Sequence, residues 1–574
     1  VKISTDSAFK SICFAGVSAG LVLAVALVVE LGYASSDIWK AEGFQFILAS
    51  NWDPGAGSFG AAGAIVGTLA TTVLALILAV PLAFAAALYV NSAPPWASKP
   101  LAHALDLLAA IPSVIYGMWG LFVLCPLLQD LLAKCGVETT GFGLLPSALV
   151  LALMVLPYIS AVMRDVLAQA PISLTESAMG VGCTRWEATW NVIVRAQRRG
   201  LVGGILIGLG RALGETMAVL FVCGGINAIP TSIFDSCTTI AATLANDFAE
   251  ATGLHKSALF GLGAVLLALE FVVQIVTQRL LRDKDESAMQ PRAATFRKLN
   301  DALMRTFSAF ATFLALALMA WIIYTIVKEG APALSWTLLS NPSKPYGEPE
   351  NGIANALLGT LYITGGAAIL AIPPAIAAGI WLAEFGKDGR YACLARFVIN
   401  VMMGIPSVIV GLFVYGILVV TTGTFSGFAG SVALSILMFP VVVRTTEDQL
   451  AGVSDTLRES GLALGATRAR VTLGIVCRAA KSGMLTGILL AVARVSGETA
   501  PLLFTALFAD AWPTDYFTGP TPSAPVLINN DTLDSPFEAM HRIGWGAALV
   551  VAGFILVLNI VVRAVALRKE RQDS

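Results

Sequence analysis

From Glu176 to Leu220 the chain reads ESAMGVGCTRWEATWNVIVRAQRRGLVGGILIGLGRALGETMAVL, and from Glu459 to Leu503 it reads ESGLALGATRARVTLGIVCRAAKSGMLTGILLAVARVSGETAPLL. The offset of 283 (459 − 176) holds without a gap through Gly182 and Gly465, Arg185 and Arg468, Arg211 and Arg494, and Glu215 and Glu498. Upstream, VGTLATTVLALILAVP from Val66 answers LGTLYITGGAAILAIP from Leu358, and IPSVIYG from Ile111 answers IPSVIVG from Ile405. The offsets there differ, as loops of unequal length require. A unit of nearly half the chain is present twice, and that duplication sets the architecture.

Working outward, 57% of the 574 residues are hydrophobic and 13% charged, about half the roughly 25% charge of a soluble domain. A membrane span needs about 20 mostly apolar residues. Windows of that size predict twelve, at 11–31, 61–90, 104–128, 143–168, 201–226, 256–281, 303–327, 353–383, 393–421, 425–447, 482–508 and 545–567. The first reads as an anchor rather than a signal peptide, because no A-x-A-like cleavage site follows it. Lys and Arg crowd every second loop and both ends, which predicts cytoplasmic termini and an even number of spans. The expected fold is an all-α polytopic membrane protein with about twelve transmembrane helices in two parallel six-helix repeats. The halves are 1–282 and 303–574, joined by a polar cytoplasmic linker at 283–302.

Several classes of function are excluded. No GxxxxGK[ST] occurs, so ATP is not hydrolysed by a phosphate-cradling loop of this chain. The eight cysteines show no CxxC or Cys/His spacing, so no metal site or disulfide framework is expected; Cys223 and Cys237 lie close enough in sequence to meet but read as free thiols. His103, His255 and His541 fall at span ends or in loops, leaving no buried nucleophile–histidine set, and the chain does not read as an enzyme. A net charge of −1 suggests no nucleic-acid partner.

What remains is charge inside the membrane. Arg211 and Glu215, like Arg494 and Glu498, stand four residues apart, where helical spacing places both on one face. A charge at membrane depth costs about 2.5–3.5 kcal/mol or more and normally faces the bundle interior or a wet cavity. One reading is an internal ion pair that fixes packing. The other is an anion site, in which two guanidinium forks meet a tetrahedral oxyanion and each glutamate keeps binding weak enough for release. Thr216 and Thr499 follow the glutamates and add hydroxyls, either to the anion or to their own helix. Ser113 and Ser407 follow a helix-breaking proline, where freed backbone groups line a cavity or a kink serves packing. Arg164 and Arg444 sit near cytoplasmic span ends, where snorkelling explains them.

Between the fourth and fifth spans of each half, a cytoplasmic segment has helix–glycine–helix character. Ser173 or Thr175 is the expected cap of its first helix, Gly182 breaks it, and Thr184 or Thr467 caps the second. Two copies at matched positions point to docking on a soluble partner rather than to a helix lying on lipid headgroups. Here the residues resemble a family. ESAMGVG and ESGLALG are similar to the EAA loop of ABC-importer permeases, and Glu176, Gly182, Arg185, Glu459, Gly465 and Arg468 are its matching positions. More narrowly, GLGRALGETMAVL and IPSVIYGMWGLFVL resemble the PstC-type phosphate permeases, and GATRARVTLGIVCRAAKSGMLTGILLAVARVSGETAPLLFTA resembles the PstA type. The resemblance implies a MetI-like PstC half fused to a PstA half in a bacterial inner membrane. It also implies phosphate as substrate, two PstB-like ATP-binding subunits that use ATP and Mg, and an external PstS-like phosphate-binding protein. No cofactor is expected on this chain. A permease for another oxyanion and a gradient-driven anion transporter are the alternatives. In one respect the chain departs from the pattern: the Leu-Pro that closes the EAA loop reads Val194-Arg195 and Cys477-Arg478 here, which predicts a straighter end to the docking helix.

Overall fold

The computed structural model describes residues 5–109, 111–280, 294–386 and 389–573. The expected linker falls mostly outside them. Apart from a two-residue hairpin pairing Trp52–Asp53 with Ser58–Phe59, the described elements are helices. Ten are long and apolar enough to cross a membrane, and an eleventh span forms if Arg390–Gly404 and Ser407–Thr422, bent by 99° at Ile405-Pro406, are counted as one. The protein is a multi-pass membrane protein.

The expected span at 201–226 is not continuous. Its helix runs from Arg198 to Leu213, stops, and resumes as Met217–Leu220. The counterpart expected at 482–508 stops at Val495 and resumes at Ala500. Both breaks fall on the Gly-Glu-Thr triplet. Glycine is a poor helix residue, and Pro501 just after the second break cannot supply an N–H to a continuing helix. A hydropathy window averages over three such residues, so apolar flanks on both sides conceal the interruption.

Two compact units divide the chain differently from the sequence repeat. One comprises 1–43, 244–267 and 329–574; the other comprises 44–243 and 268–328. The first span of each half therefore belongs to the unit that holds the core of the other half.

In the first unit, the span Thr5–Ala34 lies against Ala354–Ile380 and Gly427–Ala451. Gly16 and Gly20 make this possible. A β-carbon on Gly16 would stand 2.6 Å from the Pro374 carbonyl oxygen, and one on Gly20 would stand 2.7 Å from the Phe439 ring. Small residues four apart let membrane helices approach backbone to backbone, where dispersion contacts replace the missing hydrophobic drive. Ser18 shares a hydroxyl hydrogen bond of 2.9 Å with Tyr391 of a third helix, Arg390–Gly404. Opposite, Ala367, Ala371, Ala375 and Ala378 are fully buried along one stripe of Ala354–Ile380.

In the second unit, Ala62–Ser92 and Leu144–Ala168 form the central pair of helices. The long helix Ala294–Gly330 makes aromatic contacts with Ala62–Ser92 and with the short helix Ser113–Trp119. Phe313 meets Tyr89 at 6.0 Å between ring centroids, and Trp321 meets Trp119 edge-on at 5.4 Å.

Candidate functional site

The second unit holds the first copy of the charged motif. Arg211 occupies the last turn of Arg198–Leu213, and Glu215 lies in the break beyond it. The two do not share a helix face, as sequence spacing suggested. The chain turns at Gly214, and the side chains still meet at 3.7 Å, both largely buried. The Arg211 guanidinium lies over the ring of Tyr158, 4.1 Å from its centroid, and the Tyr158 hydroxyl donates to the Ala109 carbonyl at 2.6 Å. That bond ties the arginine's platform to the bent connection ahead of Pro112, after which Ser113 begins a new helix as a half-buried first residue. Thr216 is 2% exposed, and its hydroxyl has no hydrogen-bond partner among the described residues. The expectation that it bonds its own helix is not met.

Sequence reasoning missed two members of this neighbourhood. Tyr158 lay inside an apolar span and read as core; the only signal was the preceding Pro157, which halts the local helix hydrogen bonding. Glu270 sits in the span Gly253–Val276, fully buried. Its Oε1 is 2.8 Å from where a β-carbon of Gly210 would stand, so the glycine leaves room for the carboxylate one residue before Arg211. A lone acid in an apolar window was visible, but nothing in the spacing linked it to Arg211.

The first unit holds the second copy. Arg494 closes its helix one residue before Val495 and is exposed, while Glu498 is half-buried in the break. Thr499 is fully buried, and its hydroxyl again has no partner among the described residues. Ser407 is the first residue after the Pro406 corner, where the helix axis turns by 99°. At the position matching Tyr158 stands Val441, so this copy has no aromatic platform there.

Arg164 and Arg444, for which snorkelling was expected, each have carboxylate neighbours. Arg164 is held by Asp106 at 3.2 Å with its side chain 17% exposed. Arg444 pairs with Asp448 at 3.1 Å and Glu447 at 3.5 Å, and Glu447 also accepts from Arg396 at 2.6 Å. Cys223 and Cys237 are buried free thiols.

The segments expected to dock on a partner repeat closely in each unit. In the first copy Ile172–Gly180 is followed by Gly182 at φ +88° and by Arg185–Ala188; in the second, Asp455–Ala463 is followed by Gly465 at φ +81° and by Arg468–Val471. Positive φ is the conformation that only glycine adopts without strain. Thr184 and Thr467 cap the second helices as expected, accepting from Glu187 N–H at 3.3 Å and Arg470 N–H at 3.4 Å. Ser173 and Thr175 are not caps; the first helix begins at Ile172 after Pro171, and both lie inside it. Glu176, Glu459, Arg185 and Arg468 are exposed, and the residues just before the turning glycines, Val181 and Leu464, are 82% and 88% exposed. In the second copy helix runs without a stop from Arg468 to Val495, through a π-helical stretch at Thr472–Val476. In the first copy it stops at Gln197.

The paired arginine motif and the paired, exposed, glycine-turned loop both fall within the residues that the family comparison matches. The family described as binding-protein-dependent transport system inner membrane component matches residues 79–285 and again 375–571. The chain belongs to that family. Within this permease family, its first half is similar to the phosphate transport system permease protein PstC of Pasteurella multocida, 44% identical over 276 residues, which are 45% of this chain and 86% of that protein. Its second half is similar to the phosphate transport system permease protein PstA of Haemophilus influenzae, 41% identical over 268 residues, 47% of this chain and 94% of that protein. A PstA of Yersinia pestis is 36% identical over 296 residues and is covered in full. One chain thus carries both permease types in series. As a permease it is not itself the ATP-hydrolysing component.

Proposed function

We propose that this chain is the translocation component of an ATP-driven importer of inorganic phosphate. The observation that carries the reading is the duplicated helix break. In each unit an arginine ends one helix, a glutamate occupies the gap, and a buried threonine hydroxyl without a protein partner begins the next. Guanidinium forks and hydroxyls are the donors a tetrahedral oxyanion requires, and a nearby carboxylate tempers affinity so that the ion moves on. Similarity to PstC in one half and PstA in the other supports phosphate as that oxyanion.

The exposed tips at Val181–Gly182 and Leu464–Gly465 dock two cytoplasmic ATP-binding subunits, which consume ATP and Mg. An extracytoplasmic phosphate-binding protein delivers substrate to the opposite face. The membrane is the bacterial inner membrane, with both termini in the cytoplasm. Ser113 and Ser407, at the proline corners, line the route.

The test is labelled-phosphate uptake in cells lacking their own importer and supplied with this chain, its ATPase and its binding protein, with excess sulfate or molybdate as competitor. ATP-dependent uptake that ignores both competitors and disappears in Arg211→Gln and Arg494→Gln is the expected result. Competition by sulfate or molybdate assigns another oxyanion. Uptake driven by a proton gradient without the ATPase overturns the importer reading.

A further inference from the structure

The docking segments are each fastened by a carboxylate from an unexpected place. In the first unit, Asp6, at the start of the chain's first span, accepts the Ala469 N–H at 2.9 Å through Oδ1 and the Arg468 N–H at 3.2 Å through Oδ2. In the second unit, Asp301, near the start of the first span of the other half, accepts the Trp186 N–H at 2.8 Å through Oδ1. Trp186 and Ala469 are equivalent under the 283-residue offset. The carboxylates are equivalent as well: Thr-Asp-Ser-Ala-Phe-Lys at 5–10 aligns with Asn-Asp-Ala-Leu-Met-Arg at 300–305, each with a base four residues after the acid. In the second case that base is engaged, Arg305 meeting Asp301 Oδ2 at 2.8 Å.

We infer that Asp6 and Asp301 are positioning residues for transport: each latches the docking segment of one half to the first span of the other. The inference rests on the docking role proposed above and goes beyond it. Each docking helix opens with backbone N–H groups that its own turns leave free. Thr184 and Thr467 satisfy one donor apiece from within the segment, and Asp6 and Asp301 satisfy those beside it from outside. An anion is favoured at that end by the helix dipole, and a charge-assisted bond from carboxylate to N–H is stronger than a neutral one. The latch is therefore strong relative to its size, and it recurs at the equivalent position in both copies, with two backbone bonds to Asp6 and one to Asp301. Force applied to either docking segment reaches the span that the sequence assigns to the opposite half. The route runs through two hydrogen bonds in the first unit and one in the second and, in the first unit, through the Gly16–Pro374 backbone contact.

The experiment compares the parent chain, Asp6→Ala, Asp301→Ala, the double alanine variant, and the corresponding Asn variants in proteoliposomes with the ATPase and binding protein. It reads labelled phosphate taken up per ADP formed, together with the amount of ATPase retained on the purified chain. Asparagine keeps one acceptor oxygen of the same reach, so it restores the single bond at position 301 and one of the two at position 6, but not a lost charge. The expected result is a fall of about tenfold or more in phosphate moved per ADP for each alanine substitution, the factor that loss of a charge-assisted hydrogen bond produces. The Asn variants return to within about threefold of the parent. Alanine variants that shed the ATPase while the Asn variants keep it also support the latch. Alanine variants that match the parent overturn it, and so do Asn variants that fail as badly as alanine. A parent chain that retains no ATPase overturns the docking reading itself, a different outcome from either.

Discussion

Replacing Arg211 by lysine keeps the charge and removes the geometry, so it isolates what the structure says the guanidinium does. Arg211 lies over the Tyr158 ring at 4.1 Å and reaches Glu215 at 3.7 Å, with its side chain 16% exposed. A lysine ammonium neither stacks as a plane nor presents a fork to an oxyanion. A largely desolvated cation–π contact is worth about 1–2 kcal/mol. The second arm of a charge-assisted fork adds about 1–2 kcal/mol. Together they amount to about 2–4 kcal/mol, a fall of roughly 30- to 1,000-fold in kcat/KM for transport. Initial rates of labelled-phosphate uptake across a range of phosphate concentrations measure it. Tyr158→Leu removes only the platform and is expected to cost about fivefold to thirtyfold. Tyr158→Phe keeps the ring, loses the bond to Ala109, and falls by less. Arg211→Lys uptake within twofold of the parent, together with a neutral Tyr158→Leu, would refute the assignment of Arg211 to the anion pathway.

Three further outcomes follow from other parts of the molecule. Gly182→Trp with Gly465→Trp forces a side chain into φ near +88° and +81°, costing about 1–2 kcal/mol per site, and covers both docking tips; co-purification of the ATPase is expected to be lost, and full retention counts against the docking role. Gly16→Leu sets a β-carbon 2.6 Å from the Pro374 carbonyl oxygen, and such overpacking costs about 1–3 kcal/mol. Its melting temperature in detergent should fall well below that of Gly32→Leu, whose β-carbon meets nothing within 4 Å; equal melting of the two would show that the first span is not held there. Burial, reinforced by Asp510, pushes the Asp531 carboxyl up to about 7. A carboxyl raised on folding binds its proton more tightly in the folded chain, so stability is lost as pH climbs from the ordinary carboxylate range through about 7. Detergent melting should therefore drop between about pH 5 and 8, and Asp531→Asn should flatten the drop; an unchanged slope in that variant would place the effect elsewhere.

Periodicity and repetition made most of the architecture legible. The apolar windows located eleven of the helical runs, and the 283-residue register located the arginines, the threonines and the turning glycines, because those are local features copied twice. The Gly-Glu-Thr break was not legible, since a three-residue gap leaves an apolar average almost unchanged. Tyr158 was not legible because an aromatic in an apolar span has the same signature whether it carries a cation or fills a core. The pairing of Arg164 with Asp106, and of Arg396 with Glu447, joins residues 58 and 51 apart that no helical spacing relates. The exchange of first spans between compact units leaves no local trace at all. Gly16 and Gly20 announce that something packs closely there, but only tertiary structure names Pro374 and Phe439.

That exchange has a consequence for biosynthesis. Thr5–Ala34 is the earliest of the described spans to leave the ribosome, yet the helices it packs against, Ala354–Ile380 and Gly427–Ala451, follow some 320 residues and more behind its end (354 − 34). At about 5–20 residues per second, that is a delay on the order of 15–60 s. For that interval its Gly16–Gly20 face is in the lipid without a partner from its own chain. A nascent membrane helix in that condition is open to pairing with the wrong neighbour, including the same helix of another copy. The order of synthesis, as well as the final contacts, thus sets when this glycine face is covered.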